Sequence, residues 1–576
     1  MNRVWRAGGL LLLAVAAGCA LSPAVNNVPG TVSSADQHCT LRLIDGWLVD
    51  GSGSRRRRAD VLLAGERVLG IVKSTARRPG PRCDAHLDVS GLVVAPGFIN
   101  MLSWATESLL HDPRALSDVK QGVTLEVLGE GRSMGPFYNP QKARVSSLHS
   151  NESFEVSWKT LGGYFDLLEH SGIGVNVASF VGATTIRELV LGGANRAPSD
   201  DELIKMQMYV AQAMREGAMG VGSSLIYAPA NFATTEELIG LAQEASRFGG
   251  GYISHMRSEG RALLDGVREL IEIARASNTR AEVYHLKAAG EANWPKLNAA
   301  IAEIEAARRE GLAITANMYP YVVGATGLDA VMPPWVQAGG TKKWIKRLKD
   351  PKIRARVIRQ MRDPTPDWEN FLLGGADRAL LLGFRNRALR GYVGMTLQQV
   401  AKLRGTSAED AAIDLVIADG GRVDVAYTLM SEDNLRKKLR LPWVSFGSDA
   451  AAPAAEGMFL NHNEQPRAYG SFARVLGKYV RDEGVLGLEE AIRRMTSLPA
   501  SNLGLADRGR IAKGYYADLA IFAADEINDT ATFKNSHSYA KGMRHVFVNG
   551  TRVLANGLPT GALAGRIVRG PGWDGR

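Results

Sequence analysis

The chain carries three cysteines in 576 residues, too few for a disulfide scaffold or a thiolate metal cage. None of them sits in a thiol-nucleophile motif. No apolar run reaches the roughly 20 residues that a permanent membrane span needs. No glycine-rich phosphate fingerprint follows a strand-like segment, which argues against a doubly wound dinucleotide-binding fold. Aromatics are 7% of the residues and do not interleave with the basic runs, so the sequence gives no sign of a nucleic-acid partner. What is present is a globular composition, 45% hydrophobic and 22% charged, long enough for one large enzyme domain and a smaller satellite.

Arg3 and Arg6 precede an apolar run from Gly8 to Ala17 that ends at Gly18-Cys19. A positive start, a short apolar core and small residues before a cysteine mark a secretory signal with a lipoprotein-type end. Residues 1–18 are therefore read as a signal peptide, Cys19 as the lipidated residue and 19–38 as a linker. An ordinary cleaved signal is the alternative, since Ala16 stands where leucine is commoner. The expected location is the periplasm or cell envelope, with the membrane as a partner through the anchor. Losing residues 1–18 removes two arginines and no acid, which lowers the formal charge from +10 to +8. Much of the excess lies in Arg55–Arg58 and Lys342–Arg362, read as solvated faces, the second also as part of a lid. Cys39 and Cys83 would meet an oxidising compartment. A disulfide between them and two separate thiols both fit the sequence, which does not give their separation.

Short alternating segments with turn residues between them fill both ends. Leu41–Gly46, Val61–Leu63 and Val68–Val72 lie at one end; Ala517–Phe522, His545–Gly550 and Arg552–Leu554 lie at the other. They predict a small β-sandwich domain built from 39–95 and 501–576. Between them, strand-like runs near 93–99, 123–128, 174–181, 218–225, 249–256, 281–287, 313–319 and 443–449 alternate with helical patterns. That is the signature of an α/β chain folded as a (β/α)8 TIM barrel, here over 96–500 with a helical insertion at about 320–440. His255 and His285 close two of these runs. Parallel barrel strands converge at their C-terminal ends, so both imidazoles can reach one metal ion.

The segments Val94-Ala95-Pro96-Gly97-Phe98-Ile99, Ser254-His255-Met256-Arg257-Ser258-Glu259, His285-Leu286-Lys287, Tyr319-Pro320-Tyr321, Gly447-Ser448-Asp449 and Pro466-Arg467-Ala468-Tyr469-Gly470 occur in this order. With them the chain resembles the amidohydrolase superfamily, and within it the N-acyl-D-amino-acid deacylases, or D-aminoacylases. The resemblance runs from about residue 40 to the end. It implies a zinc-dependent hydrolase of carbon–nitrogen bonds other than peptides, acting on a small N-acyl amino acid.

Several family positions differ. Where the family has an aspartate and a His-x-His pair, this chain has Asn100, Leu102 and Trp104; Gly131 aligns with a family cysteine, Gln465 with a histidine and Asn317 with a common aspartate. One zinc ion rather than two is therefore expected, held by His255, His285 and Glu130, the carboxylate next to the lost cysteine position. Glu130 could instead pair with Arg132 or Arg257. The resemblance makes Asp449 the general base, although an aspartate before Ala450-Ala451 is also good helix-capping sequence. It nominates Arg467 for the substrate carboxylate, with Lys287, Tyr227 and Tyr319 near the mouth. Against this stand a structural ion pair for Arg467 and plain packing for the tyrosines. Three functions follow: hydrolysis of a linear N-acyl-D-amino acid, hydrolysis of a cyclic amide, and a catalytically silent barrel kept as an envelope binding or scaffold protein. Nothing in the sequence sets an oligomeric state.

Overall fold

Gly97 divides the run from Val93 to Asn100 between two sheets. Val93–Pro96 pairs antiparallel with Leu519–Phe522, whereas Phe98–Asn100 pairs parallel with Val123–Leu128. A side chain at Gly97 would collide with Thr124, whose Oγ1 lies 2.1 Å from the position of a Cβ. Only a bare backbone passes there, so the strand expected over 93–99 is two strands. The computed structural model describes residues 38–75, 80–137, 144–146, 153–364 and 368–575. Residues 1–37, which include the segment read as a signal peptide, Cys19 and most of the expected linker, lie outside the described residues. Among the described residues, no helix is long and apolar enough to cross a membrane.

Cys39–Arg576 forms one compact unit. One nine-stranded sheet joins the two ends of the chain: Cys39–Leu48 lies between Arg57–Ala64 and Val93–Pro96, and Leu519–Phe522 continues it toward Met543–Val548 and Thr551–Ala555. Leu43, Val61, Leu63, Val94, Ile521 and Phe547 pack together in its core. Cys83–Asp88 runs parallel to Cys39–Leu48 with Cys39 opposite Cys83, and those two cysteines form a disulfide.

The barrel strands are Phe98–Asn100, Val123–Leu128, Asn176–Ser179 continued by Val181–Gly182, Gly220–Ser224, Gly251–His255, Ala281–Val283, Ile314–Met318 and Val444–Phe446. All pair in parallel. The eighth meets the first: Met101 N–H donates to Phe446 O at 3.1 Å and Ser103 bridges Ala450. Surrounding helices follow local rules. Asp200–Arg215 opens on a capping box from Ser199 and Glu202, which satisfies two otherwise unpaired N–H groups. Leu263–Ser277 buries Leu263, Val267, Leu270 and Ala274, one stripe at helical spacing.

The insertion after the seventh strand is not wholly helical. Besides helices such as Thr341–Leu348, Pro351–Met361 and Ala408–Asp419, it holds an antiparallel sheet of Val323–Gly327, Asp424–Thr428 and Ala379–Gly383. Two glycines blur the first strand's pattern, and the third is a continuous apolar run that a buried helix would share. The insertion has its own core, including Leu348, Val357, Leu381, Val416 and Tyr427. The basic stretch follows its first two long helices, with Trp344, Leu348, Val357 and Met361 inward.

Candidate metal centre and catalytic cavity

His255 is the last residue of the fifth barrel strand, His285 stands just past the sixth, and Glu130 just past the second. Glycines with left-handed backbone flank Glu130: Gly129 has φ +106° and Gly131 +67°. A Cβ at Gly129 would lie 2.2 Å from Phe180 O, and one at Gly131 2.5 Å from the Ser224 side chain. The loop can therefore press against the third and fourth strands and turn Glu130 inward. Gly131, at the aligned cysteine position, leaves no room for a Cβ unless Ser224 shifts.

Glu130 Oε1 lies 2.9 Å from His255 Nδ1 and 3.1 Å from His285 Nε2. The two imidazoles stand nearly perpendicular, 88° apart, with centroids 4.4 Å from each other. All three side chains are buried. Ligands about 2.0–2.1 Å from a tetrahedral zinc ion sit about 3.3 Å from one another, so this oxygen-and-two-nitrogen set fits zinc. Both alternative partners of Glu130 are engaged elsewhere: Arg132 pairs with Glu188, and Arg257 with Glu269.

Glu259, four residues after His255, was not among the residues singled out from sequence. Its Oε1 accepts from Lys287 Nζ at 2.6 Å and lies 3.0 Å from His285 Nδ1. A carboxylate on the outer nitrogen of a ligating histidine fixes the ring and leaves the inner nitrogen facing the site. The signal available in the sequence was the spacing from His255, which does not reveal that the loop folds back. Asn317 has a second unforeseen task, since its Oδ1 accepts from the His285 backbone N–H at 2.7 Å. It thereby pins a residue whose φ of +36° is strained for a side chain of this size.

Electrostatics follow from the packing. Burial opposes the charge on Glu130, yet hydrogen bonds with His255 and His285 hold its carboxyl well below the usual range. Glu259 is also held low against burial, chiefly by the charge of Lys287. Burial and Lys287 push His285 down, but Glu259, Asp449 and Glu130 outweigh them and raise it to about 9. Metal binding would have to displace that proton.

Glu369, from the insertion, clamps the same loop. Its Oε2 accepts from Ser258 Oγ at 2.8 Å and from the Glu259 backbone N–H at 3.3 Å. Burial, with the charge of Glu259 adding to it, pushes Glu369 up to about 7. An acid raised on folding stabilises the fold below its unfolded value and loses that contribution as pH rises through about 7. Glu369→Gln mimics the protonated form. Its Tm relative to the parent protein should therefore be close to zero at pH 5 and increasingly positive toward pH 8. A constant offset across thermal melts would count against this.

Asp449 follows the eighth strand with φ +50°. No helix begins there, so it is not a cap. Its Oδ1 accepts from Trp104 Nε1 at 3.1 Å and its Oδ2 lies 3.0 Å from an Arg467 Nη2. Arg467 is 4% exposed and stacks over Tyr319, 4.4 Å from the ring centroid. Its Nε and Nη1 have no hydrogen-bond partner among the described residues. The ion pair expected as an alternative for Arg467 is thus present, and it uses only part of the guanidinium. Tyr227 packs edge-on against His255 at 5.5 Å, and its hydroxyl accepts from Thr326 Oγ1 at 2.7 Å. Tyr319 packs edge-on against His285. Glu130, Tyr227, His255, His285, Lys287, Tyr319, Asp449 and Arg467 line one cavity of about 890 Å³, and Thr341 and Trp344 of the basic helix also reach it.

A parallel barrel that gathers imidazoles and carboxylates at its C-terminal mouth defines the class of metal-dependent hydrolase barrels. The model of the amidohydrolase family matches residues 86–554. The D-aminoacylase of Alcaligenes xylosoxydans xylosoxydans is 33% identical over 545 residues, spanning 93% of this chain and 98% of that protein. Two solved structures superpose over 92% of this chain and 100% of theirs. One is a D-aminoacylase studied for its binuclear metal centre, with one-metal activation and second-metal attenuation, at TM-score 0.76 and 29% identity. The other is the N-acyl-D-glutamate deacylase of Bordetella bronchiseptica with zinc and a phosphonate inhibitor, at TM-score 0.75 and 27% identity. This chain belongs to the amidohydrolase family, on the branch that holds the D-aminoacylases.

Proposed function

We propose that the protein is an exported zinc-dependent hydrolase that cleaves the amide of an N-acyl-D-amino acid. The observation that carries this is the buried set of Glu130, His255 and His285, spaced for one zinc ion at the barrel mouth. Zinc held there supplies a Lewis acid for the amide carbonyl and makes water more acidic. Asp449 takes the proton of the attacking water and delivers it to the amide nitrogen as the C–N bond breaks, so the products are a carboxylic acid and a free amine. The unpaired Nε and Nη1 of Arg467 are the donors assigned to the substrate carboxylate, for which a planar fork is suited. Tyr227, Tyr319 and the stem of Lys287 wall the site beside them.

The test is to load the signal-free protein with zinc and supply N-acetyl-D- and N-acetyl-L-amino acids, measuring free amine. Release from D-substrates supports the proposal. Ring-opened products from cyclic amides alone would favour the cyclic amidohydrolase, and zinc binding with no turnover would favour the silent barrel.

Export and anchoring rest on the sequence of residues 1–19, and the Cys39–Cys83 disulfide suits an oxidising compartment. Full-length protein should fractionate with membranes, and Cys19→Ser should move it to the soluble or secreted fraction. Membrane retention by Cys19→Ser would leave lipid anchoring at this residue without support.

A further inference from the structure

The family's His-x-His positions in this chain, Leu102 and Trp104, offer no metal ligand, yet they do not drift away from the site. The end of the first strand is fastened to the Asp449 loop by both backbone and side-chain hydrogen bonds. Asp449 N–H donates to Leu102 O at 2.8 Å, and Trp104 N–H donates to Ala450 O at 2.9 Å. Asn100 Oδ1 accepts from the Ser448 backbone N–H at 2.8 Å, and its Nδ2 donates to Ser448 Oγ at 2.8 Å. This network holds Asp449 in a left-handed conformation that a residue other than glycine adopts at a cost. The Trp104 ring then projects into the cavity wall with its N–H on Asp449 Oδ1 at 3.1 Å.

We propose that Trp104 is a positioning residue for Asp449: the indole N–H holds one carboxylate oxygen while Arg467 holds the other, leaving each a lone pair for the substrate side. The geometry gives the indole a task that packing alone does not require. An ionised carboxylate has about four acceptor sites, and with one donor on each oxygen its plane can no longer rotate. The side chain is 11% exposed, so it meets the cavity through the small face left open. An indole N–H is a donor only and carries no charge, so it orients the base without neutralising it. Arg467 alone would leave Oδ1 free to swing toward the guanidinium's unpaired Nε or Nη1 and close a bidentate pair. Trp104 therefore also keeps part of Arg467 open. Asp449 is thus held without a second metal ion.

This inference rests on Asp449 as the proton carrier, and the experiment separates the two. Trp104→Phe keeps an aromatic wall and removes the donor. It should lower kcat about 10- to 100-fold, the size expected for one hydrogen bond to a charged group, with KM and zinc per chain unchanged. In an Asp449→Asn background the same substitution should add little further loss, because residues acting as one unit are not additive. Trp104→Gln, which packs worse but restores an N–H donor, should retain more kcat than Trp104→Phe. Parental kcat in Trp104→Phe would overturn the proposal, as would a full additional loss in the Asp449→Asn background or a Gln variant slower than Phe. If Asp449→Asn alone keeps the parental rate, the proton-carrier reading fails first, and this inference with it.

Discussion

Replacing His255 and His285 together by alanine should take the protein from about one zinc per chain to none by mass spectrometry, and hydrolysis to background. Each imidazole supplies a buried nitrogen within 3.1 Å of Glu130 Oε1. With both gone a single carboxylate remains, too few ligands for a catalytic zinc site. The double variant should also be less stable. Glu130 is 4% exposed, and a buried charge that loses its partners costs about 3–5 kcal/mol. His255→Ala/His285→Ala/Glu130→Gln should recover part of that stability without recovering zinc, because the neutral amide removes the stranded charge. Zinc retained at one per chain in the double variant would mean the ion sits elsewhere. Unchanged Tm would mean the cluster is more solvated than its burial implies.

Asp449→Asn should lower kcat by about 10²–10⁴-fold, the usual range for a positioned proton carrier, while zinc stays at its parental level. The amide keeps one acceptor oxygen, which can serve Trp104 or Arg467 but not both, so Tm should fall only by the loss of one such contact. That combination separates a chemical role from a structural one. A loss of less than about tenfold would assign proton transfer to another group. Besides Arg467, the buried groups that feel the charge of Asp449 include His285, Tyr284 and Tyr319. Of these, His285 is tied to the metal set.

Much of the site could be read from the chain because barrel strands impose an order. Once eight strand-like runs are laid side by side, His255 and His285 must open on one mouth, and Asp449 at the end of the last run must join them. Arg467 followed from its motif, but its division between Asp449 and two unpaired nitrogens did not. Glu259 was passed over although it stands inside a quoted segment. A strand's side chains alternate by position, whereas a loop residue's direction depends on what the loop packs against. Glu369 lies more than a hundred residues from His255 in a segment with no motif, and only the folded insertion brings it to Ser258. The insertion's small sheet escaped for a related reason, since Val323–Gly327 and Ala379–Gly383 show no alternation that distinguishes strand from helix.

By itself the sequence determined the class of fold, the order of its strands, the two histidines at the barrel mouth and the absence of a His-x-His pair. Those features are local patterns, set by side-chain periodicity and residue type within short stretches. The tertiary structure decided the rest: that Glu130 faces the histidines instead of Arg132 or Arg257, that Cys39 and Cys83 meet as parallel neighbours, and that Glu259 backs His285. It also decided that Trp104 fastens Asp449. Each of these depends on the relative position of segments far apart in the chain, which is fixed by close packing around a common core and not by the sequence of either segment alone.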